Sequence, residues 1–172
     1  MKATLEAING MLADGVIGNY AIGGAVGATF YLAPAATVDL DVFVTLPGRA
    51  GLLVSLSPIY EFLKARGGEV QDEYIVLDGW PVQFLVPANA LEEEAIKRAV
   101  SADVDGISTR VMAAEHLVAI ALNTGRAKDY GRILQFLEQQ AVDQKKLNEV
   151  LQRHGLAGEW KAFKQRFLGE SE

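Results

Sequence analysis

The sequence predicts an α+β protein, a mixed sheet flanked by helices and followed by a carboxy-terminal helical cap. Short apolar strands alternate with short helices up to residue 112, and beyond it only helical spacing continues. An Asp-Gly pair between two of the strands also predicts a hairpin. Strands and helices that are segregated along the chain are typical of the α+β class. We therefore expect an α/β core over residues 1–112 and a helical cap packed on that core over residues 113–172.

Apolar spacing and chain breakers place the individual elements. Leu5, Ile8 and Leu12 recur at helical spacing, whereas residues 38–46 alternate with a period of two. Asp78-Gly79 separates two apolar runs and predicts that they pair antiparallel. The expected strands cover residues 20–22, 38–46, 70–77, 80–86 and 107–112, the last of them at a sheet edge. The expected helices cover residues 3–13, 25–32, 57–66, 92–98, 115–123, 128–140, 143–153 and 158–167.

Composition excludes several kinds of site. The net charge of −6 argues against a broadly basic nucleic-acid-binding face, although a local basic pocket remains compatible with it. The chain has no cysteine and two histidines, which excludes disulfides, thiolate nucleophiles and histidine-rich metal sites. Residues 21–38 carry no charge, but their glycines and proline favour burial in a globular fold over a membrane helix. No secretion signal is expected at the amino terminus, so the predicted location is the cytoplasm.

Two carboxylates and a glycine doublet form the candidate site. Asp39 and Asp41 lie two positions apart on one strand, so both side chains point to the same face, about 7 Å apart at the backbone. Such a pair can converge on a hard cation, and Mg²⁺ favours carboxylates shared with substrate phosphates. Gly23-Gly24 lies between a strand and a helix, where backbone N–H groups can hold an anion.

Each feature alone has a simpler interpretation. A single Gly-Gly pair is more often a turn or a close packing contact, and a single Asp-x-Asp is more often a solvated strand face. Here the aspartates interrupt a strand whose other face is apolar, and they follow the doublet by 15 residues, enough for one helix. Together the two features favour a metal-nucleotide site.

Two segments resemble a known superfamily. Gly23-Gly24, one helix and Thr37-Val-Asp39-Leu-Asp41 resemble the signature of the nucleotidyltransferases, which have the DNA polymerase β-like fold. The likeness is greatest to the small bacterial branch that includes the AbiEii-type toxins. Residues 115–130, which contain Gly-Arg-Ala-Lys-Asp, resemble the helix-turn-helix segment of that branch.

The resemblance implies Mg²⁺-dependent transfer of a nucleoside monophosphate from a nucleoside triphosphate to a hydroxyl or phosphate acceptor. It implies that Asp39 and Asp41 are the catalytic metal ligands. The residues that it implies for nucleotide and phosphate binding are Gly23, Gly24, Thr37, Arg126 and Lys128. Asp129 would orient the two cations, although a basic surface turn that pairs locally with Asp129 is an equally good interpretation.

The chain departs from the family pattern at three positions. Gln83 stands where the superfamily usually has a third carboxylate, and an amide cannot take a proton. Asp78 is better explained by its turn with Gly79. Members of the branch also often carry an arginine where this chain has Ala35 and a lysine near Ala121.

These observations leave two hypotheses of function. The first is an active nucleotidyltransferase that modifies RNA, another nucleic acid or protein, including the role of toxin in a toxin–antitoxin pair with an antitoxin protein as partner. The second is a nucleotidyltransferase-fold protein with a degenerate site that binds a nucleotide or a partner without efficient catalysis. The retained aspartates favour the first hypothesis, and Gln83 favours the second. A helical adaptor is a weaker third interpretation, because the apolar faces of the last helices are expected to form the core of the cap.

Overall fold

A seven-stranded mixed sheet lies at the centre of the protein. The computed structural model describes residues 1–33, 39–48 and 55–169. Within these ranges the strands are β1 (Asn19–Ile22), β2 (Leu40–Thr45), β3 (Glu69–Gln71), β4 (Tyr74–Leu77), β5 (Trp80–Leu85), β6 (Val100–Val104) and β7 (Ile107–Val111). The helices are α1 (Lys2–Ala13), α2 (Gly24–Ala28), α3 (Ser57–Lys64), α4 (Ala90–Lys97), α5 (Ala114–Thr124), α6 (Ala127–Glu138), α7 (Gln144–Arg153) and α8 (Ala157–Leu168). The predicted α+β class is confirmed.

The strand order places β2 and β5 side by side near the middle of the sheet. The order is β3-β4-β5-β2-β1-β7-β6. β2 pairs parallel with β5 and antiparallel with β1. The predicted hairpin is confirmed, since β4 and β5 pair antiparallel and the turn residues Asp78 and Gly79 both have positive φ. This is the backbone that a tight two-residue hairpin requires.

Several elements differ from the sequence prediction. The expected strand over residues 70–77 divides into β3 and β4 at Asp72, whose φ is +53°. The helix expected over residues 25–32 ends at Ala28. β6 was not expected, and it pairs antiparallel with β7 across an Asp-Gly turn. β7 therefore lies between β1 and β6, and its prediction as an edge strand was wrong. β6 alternates apolar and polar residues, but only over five positions, and three of them are exposed, so this short alternation was missed.

The two faces of β2 pack into different hydrophobic clusters. Leu40, Val42 and Val44 join a cluster with α1 and α3. Phe43 joins a second cluster that contains residues of α4, α5, α6, α7 and α8. Since successive side chains on a strand alternate between faces, Asp41 shares the face of Phe43, under the carboxy-terminal helices. The second cluster includes residues on both sides of residue 112, and the division of the chain there stays a prediction.

The uncharged residues from 21 onward enter the fold as ordinary short elements. They complete β1, form α2 and continue into the turn that follows it. No helix in the described ranges is long and apolar enough to cross a membrane.

Glu94 joins three helices through one carboxylate. Its side chain on α4 is 17% exposed. Arg153 of α7 donates to Oε1 at 2.6 Å, and Nε2 of His154 lies 2.8 Å from Oε2. Nε2 of His116 on α5 and Nε of Arg98 each lie 3.2 Å from Oε1. The hydrogen bonds from Arg153, His154 and His116, that of Arg153 first, lower the pKa of Glu94 to about 2.

We expect Glu94→Gln to lower the free energy of unfolding by about 1–3 kcal/mol at pH 7, because it removes a carboxylate that three helices share. The pKa of Glu94 is lower in the folded state than its ordinary value of 4.5. Its stabilisation is therefore fully present above about pH 4.5 and is lost as the pH falls toward about 2. Urea unfolding at pH 7 and pH 3 should show a smaller difference between variant and wild type at pH 3. Glu93→Gln, on the exposed side of α4, is the control; an equal difference at both pH values would contradict the prediction.

Candidate active site

Residues from the sheet and the helices surround one cleft of about 370 Å³. β2 contributes Asp41, with Asp39 just before the strand, and β5 contributes Gln83. Gly24 lines the cleft from the start of α2. The charged residues that complete the lining are Glu92, Arg126, Lys128, Asp129 and Arg132. Every predicted site residue in the described ranges except Gly23 therefore lines this cleft; Thr37 lies outside the described residues.

Gly24 packs directly against the Asp41 carboxylate. Its φ is +58°, a left-handed conformation that other residues rarely adopt. A Cβ added at Gly24 would overlap Oδ2 of Asp41 and lie 2.7 Å from its Cγ. Gly23 packs against β2 as well, because its N–H donates to the backbone oxygen of Asp41 at 2.9 Å. The doublet thus brings the backbone up to the carboxylate, and α2, with five residues, is a short helix.

Asp41 lies in an electrostatic environment that favours a bound cation. Partial burial and then the negative charge of Asp39 raise the pKa of Asp41. The positive charges of Arg132, Lys128 and Arg126 act in the opposite direction. A cation between the two carboxylates would remove their mutual repulsion.

The oxygen donors of the cleft fit Mg²⁺ in part. Asp39 and Asp41 supply two carboxylates, the ligand type that Mg²⁺ prefers. Among the described residues, no group of three or more histidine, cysteine, aspartate or glutamate side chains is placed to hold a metal ion. The remaining positions of an octahedral shell would be filled by water or by substrate phosphate oxygens, as is usual for Mg²⁺.

Gln83 lies beside Asp41 on the neighbouring strand. The parallel pairing of β2 with β5 places the two residues opposite each other, so their side chains share one face of the sheet. Asp78, by contrast, lies in the turn at the start of β5, where its Oδ2 is 3.9 Å from the amino group of Met1.

A buried carboxylate on α6 holds two arginines at the wall of the cleft. Asp129 is 2% exposed. Arg126 donates to it through Nε at 2.6 Å and Nη2 at 3.3 Å, and Nη1 of Arg132 lies 3.8 Å away. Arg126 therefore pairs locally with Asp129 and also lines the cleft beside Lys128, while contact of the two cations with a nucleotide stays a prediction.

Sequence reasoning missed several residues of the cleft lining, among them Arg132, Glu92 and Tyr74. Arg132 lies four positions after Lys128, one helical turn further, and this spacing could have indicated it. Glu92 could be recognised as part of a capping box with Asn89 but not as a cleft residue. Tyr74, on β4, hydrogen-bonds with Asp39, and partial burial followed by the charge of Asp39 raises the pKa of the phenol.

Two solved structures resemble the chain over nearly its whole length. One is the crystal structure of an antigenic nucleotidyltransferase-like protein from Paracoccidioides brasiliensis, with a TM-score of 0.53 and 13% sequence identity, covering 94% of this chain and 92% of that one. The chain has a nucleotidyltransferase-like fold. The second is the solution structure of the antibiotic-resistance factor ANT(2'')-Ia, with a TM-score of 0.51 and 13% identity, covering 98% of each chain.

At this identity the likeness shows the nucleotidyltransferase-like fold alone. The sequence matches no protein-family model and no curated protein. The predicted superfamily fold is thereby supported, while the AbiEii-type branch stays a prediction.

Proposed function

We propose that the protein is a Mg²⁺-dependent nucleotidyltransferase that transfers a nucleoside monophosphate from a nucleoside triphosphate to an acceptor hydroxyl or phosphate. The observation that carries the proposal is that carboxylates and positively charged side chains line the same cleft. Asp39 and Asp41 line it together with three cations, Arg126, Lys128 and Arg132. The nucleotidyltransferase-like fold of the chain supports the same function.

The carboxylates would hold the metal and the cations would hold the phosphates. Bound Mg²⁺ would supply positive charge to the phosphate oxygens at the reacting centre. Arg126 and Arg132, held by Asp129, can donate to phosphate oxygens in a fixed orientation, and Lys128 adds a third positive charge. The apolar part of the cleft lining offers space for the nucleoside, and the volume of about 370 Å³ is typical of a small-ligand site.

The acceptor and the biological role come from the resemblance and stay predictions. RNA and protein are the acceptor classes to test first. The role of toxin with an antitoxin partner, and the cytoplasmic location, are predictions of the same kind.

The proposal is tested by labelling acceptors in a cell extract. The protein is incubated with Mg²⁺ and each α-³²P-labelled nucleoside triphosphate, and RNA and protein are separated and counted. We expect label in one fraction, and its loss when the metal is removed with EDTA. Nucleotide binding without labelled product would contradict the proposal and support the degenerate-site alternative.

Arg132 is expected to bind the triphosphate. Arg132→Gln removes one charge-assisted hydrogen bond to phosphate, about 1.5–3 kcal/mol. The KM for the nucleoside triphosphate should therefore rise by about 10- to 100-fold in steady-state kinetics. Arg66→Gln, which removes an exposed arginine from another surface, is the matched control. Equal KM values in the two variants would show that Arg132 does not contact the nucleotide.

A further inference from the structure

Four carboxylates line the cleft. Three of them already have a proposed role or an ion-pair partner. Asp39 and Asp41 form the proposed metal pair, and Asp129 is paired with Arg126 and Arg132. The fourth is Glu92, a half-buried residue in the first turn of α4. Within the described residues Glu92 takes part in no ion pair.

The start of α4 holds Glu92 in place through one of its two oxygens. The N–H of Glu92 donates to the side chain of Asn89 at 3.0 Å, and the N–H of Ala88 donates to Oε2 of Glu92 at 2.7 Å. The two hydrogen bonds resemble a capping box, except that Glu92 accepts from Ala88, the residue before the N-cap Asn89. They fix the side chain and use only Oε2, so that Oε1 can accept a further hydrogen bond.

Glu92 and the aspartate pair lie on the same cleft but do not form one metal site. α4 packs on β1 and β2, the strand that carries Asp41. Even so, no group of three or more such side chains in the described ranges can hold a metal ion. A carboxylate that lines the cleft but does not complete a metal site with the aspartates is available to act on a second substrate.

We propose that Glu92 is the general base that accepts the proton of the acceptor hydroxyl, the role that Gln83 cannot fill. The inference rests on the proposed function. In the step, the acceptor oxygen forms a bond to the α-phosphorus, the bond from that phosphorus to the bridging oxygen breaks, and pyrophosphate leaves. The hydroxyl proton passes to Oε1 of Glu92 and then to solvent.

The test is Glu92→Gln, because glutamine also serves in a capping box but cannot accept the proton. With the α-³²P-labelled nucleoside triphosphate and cell extract described above, we expect kcat to fall by about 10²–10⁴-fold. The KM for the nucleoside triphosphate should stay within about threefold of wild type, since a base for the acceptor does not bind the phosphates. Glu93→Gln, next to Glu92 but exposed, should keep wild-type kcat.

Glu92→Asp distinguishes the role of Glu92 as a proton acceptor from its role in capping α4. It keeps a carboxylate and shortens the arm that caps α4, so we expect it to retain at least about a tenth of the wild-type kcat. An aspartate variant as inactive as the glutamine variant, or a glutamine variant within about threefold of wild type, would overturn the role of Glu92. In those cases an active wild type would leave the proposed function standing. A wild type without transfer in any labelled fraction would overturn both proposals.

Discussion

Replacing both aspartates of the proposed metal pair, Asp39→Ala with Asp41→Ala, should reduce nucleotidyl transfer by at least about 10³-fold. The two carboxylates are the proposed holders of Mg²⁺, whose charge stabilises the reacting phosphate by several kcal/mol. Each 1.36 kcal/mol corresponds to a factor of ten in rate. The measurement is incorporation of α-³²P label by wild type and variant under the same Mg²⁺ concentration.

The fold of this double variant should remain intact. Burial and the neighbouring Asp39 raise the pKa of Asp41, so removing both carboxylates relieves repulsion and should leave stability unchanged or slightly higher. Mg²⁺ should raise the unfolding temperature of wild type, by linkage, and have no such effect on the variant. Glu6→Ala with Asp14→Ala removes the same charge from exposed positions and serves as the control. Unchanged turnover in the Asp39/Asp41 variant would contradict the proposed function.

Gly24→Ala should lower both stability and activity, because the added methyl group collides with the carboxylate of Asp41. The new Cβ would overlap Oδ2 of Asp41, and a left-handed conformation costs a non-glycine residue about 1–2 kcal/mol. We expect the free energy of unfolding to fall by about 2–4 kcal/mol. Turnover should fall by about 10²-fold, because a displacement of about 1 Å at a reacting group can have an effect of that size. Urea unfolding and label incorporation measure the two effects.

Gly15→Ala distinguishes the effect of the clash with Asp41 from the effect of the left-handed backbone conformation. Gly15 has a φ of +68°, close to that of Gly24, but a Cβ there would meet nothing within 4 Å. We expect this control to lose about 1 kcal/mol of stability and to keep wild-type activity. If Gly24→Ala lost no more activity than Gly15→Ala, close contact with Asp41 would not matter for the site.

Much of the fold and part of the site could be predicted from local sequence patterns, such as apolar alternation and turn residues. The period of two in β2 predicted that Asp41 and Phe43 share a face, and the Asp-Gly pair predicted the β4–β5 hairpin. These predictions hold because alternation and turn geometry depend on a few neighbouring residues. β6 was missed because its alternation of apolar and polar residues extends over only five positions, three of them exposed.

The sequence by itself determined that Asp41 shares a strand face with Phe43 and that position 83 holds an amide, since each follows from residue type and spacing. The close approach of Gly24 to Asp41 is seen only in the structure. Only the tertiary structure decided what faces these residues. Glu92 and Arg132 are separated from Asp41 by tens of residues and reach the cleft because α4 and α6 pack on the same face of the sheet. Such convergence depends on long-range packing, for which a single sequence carries no periodic signal. Asp129 is a mixed case. Its pairs with Arg126 and Arg132 join residues three positions apart, so local spacing permits them, whereas the burial of Asp129 depends on how α6 packs against its neighbours.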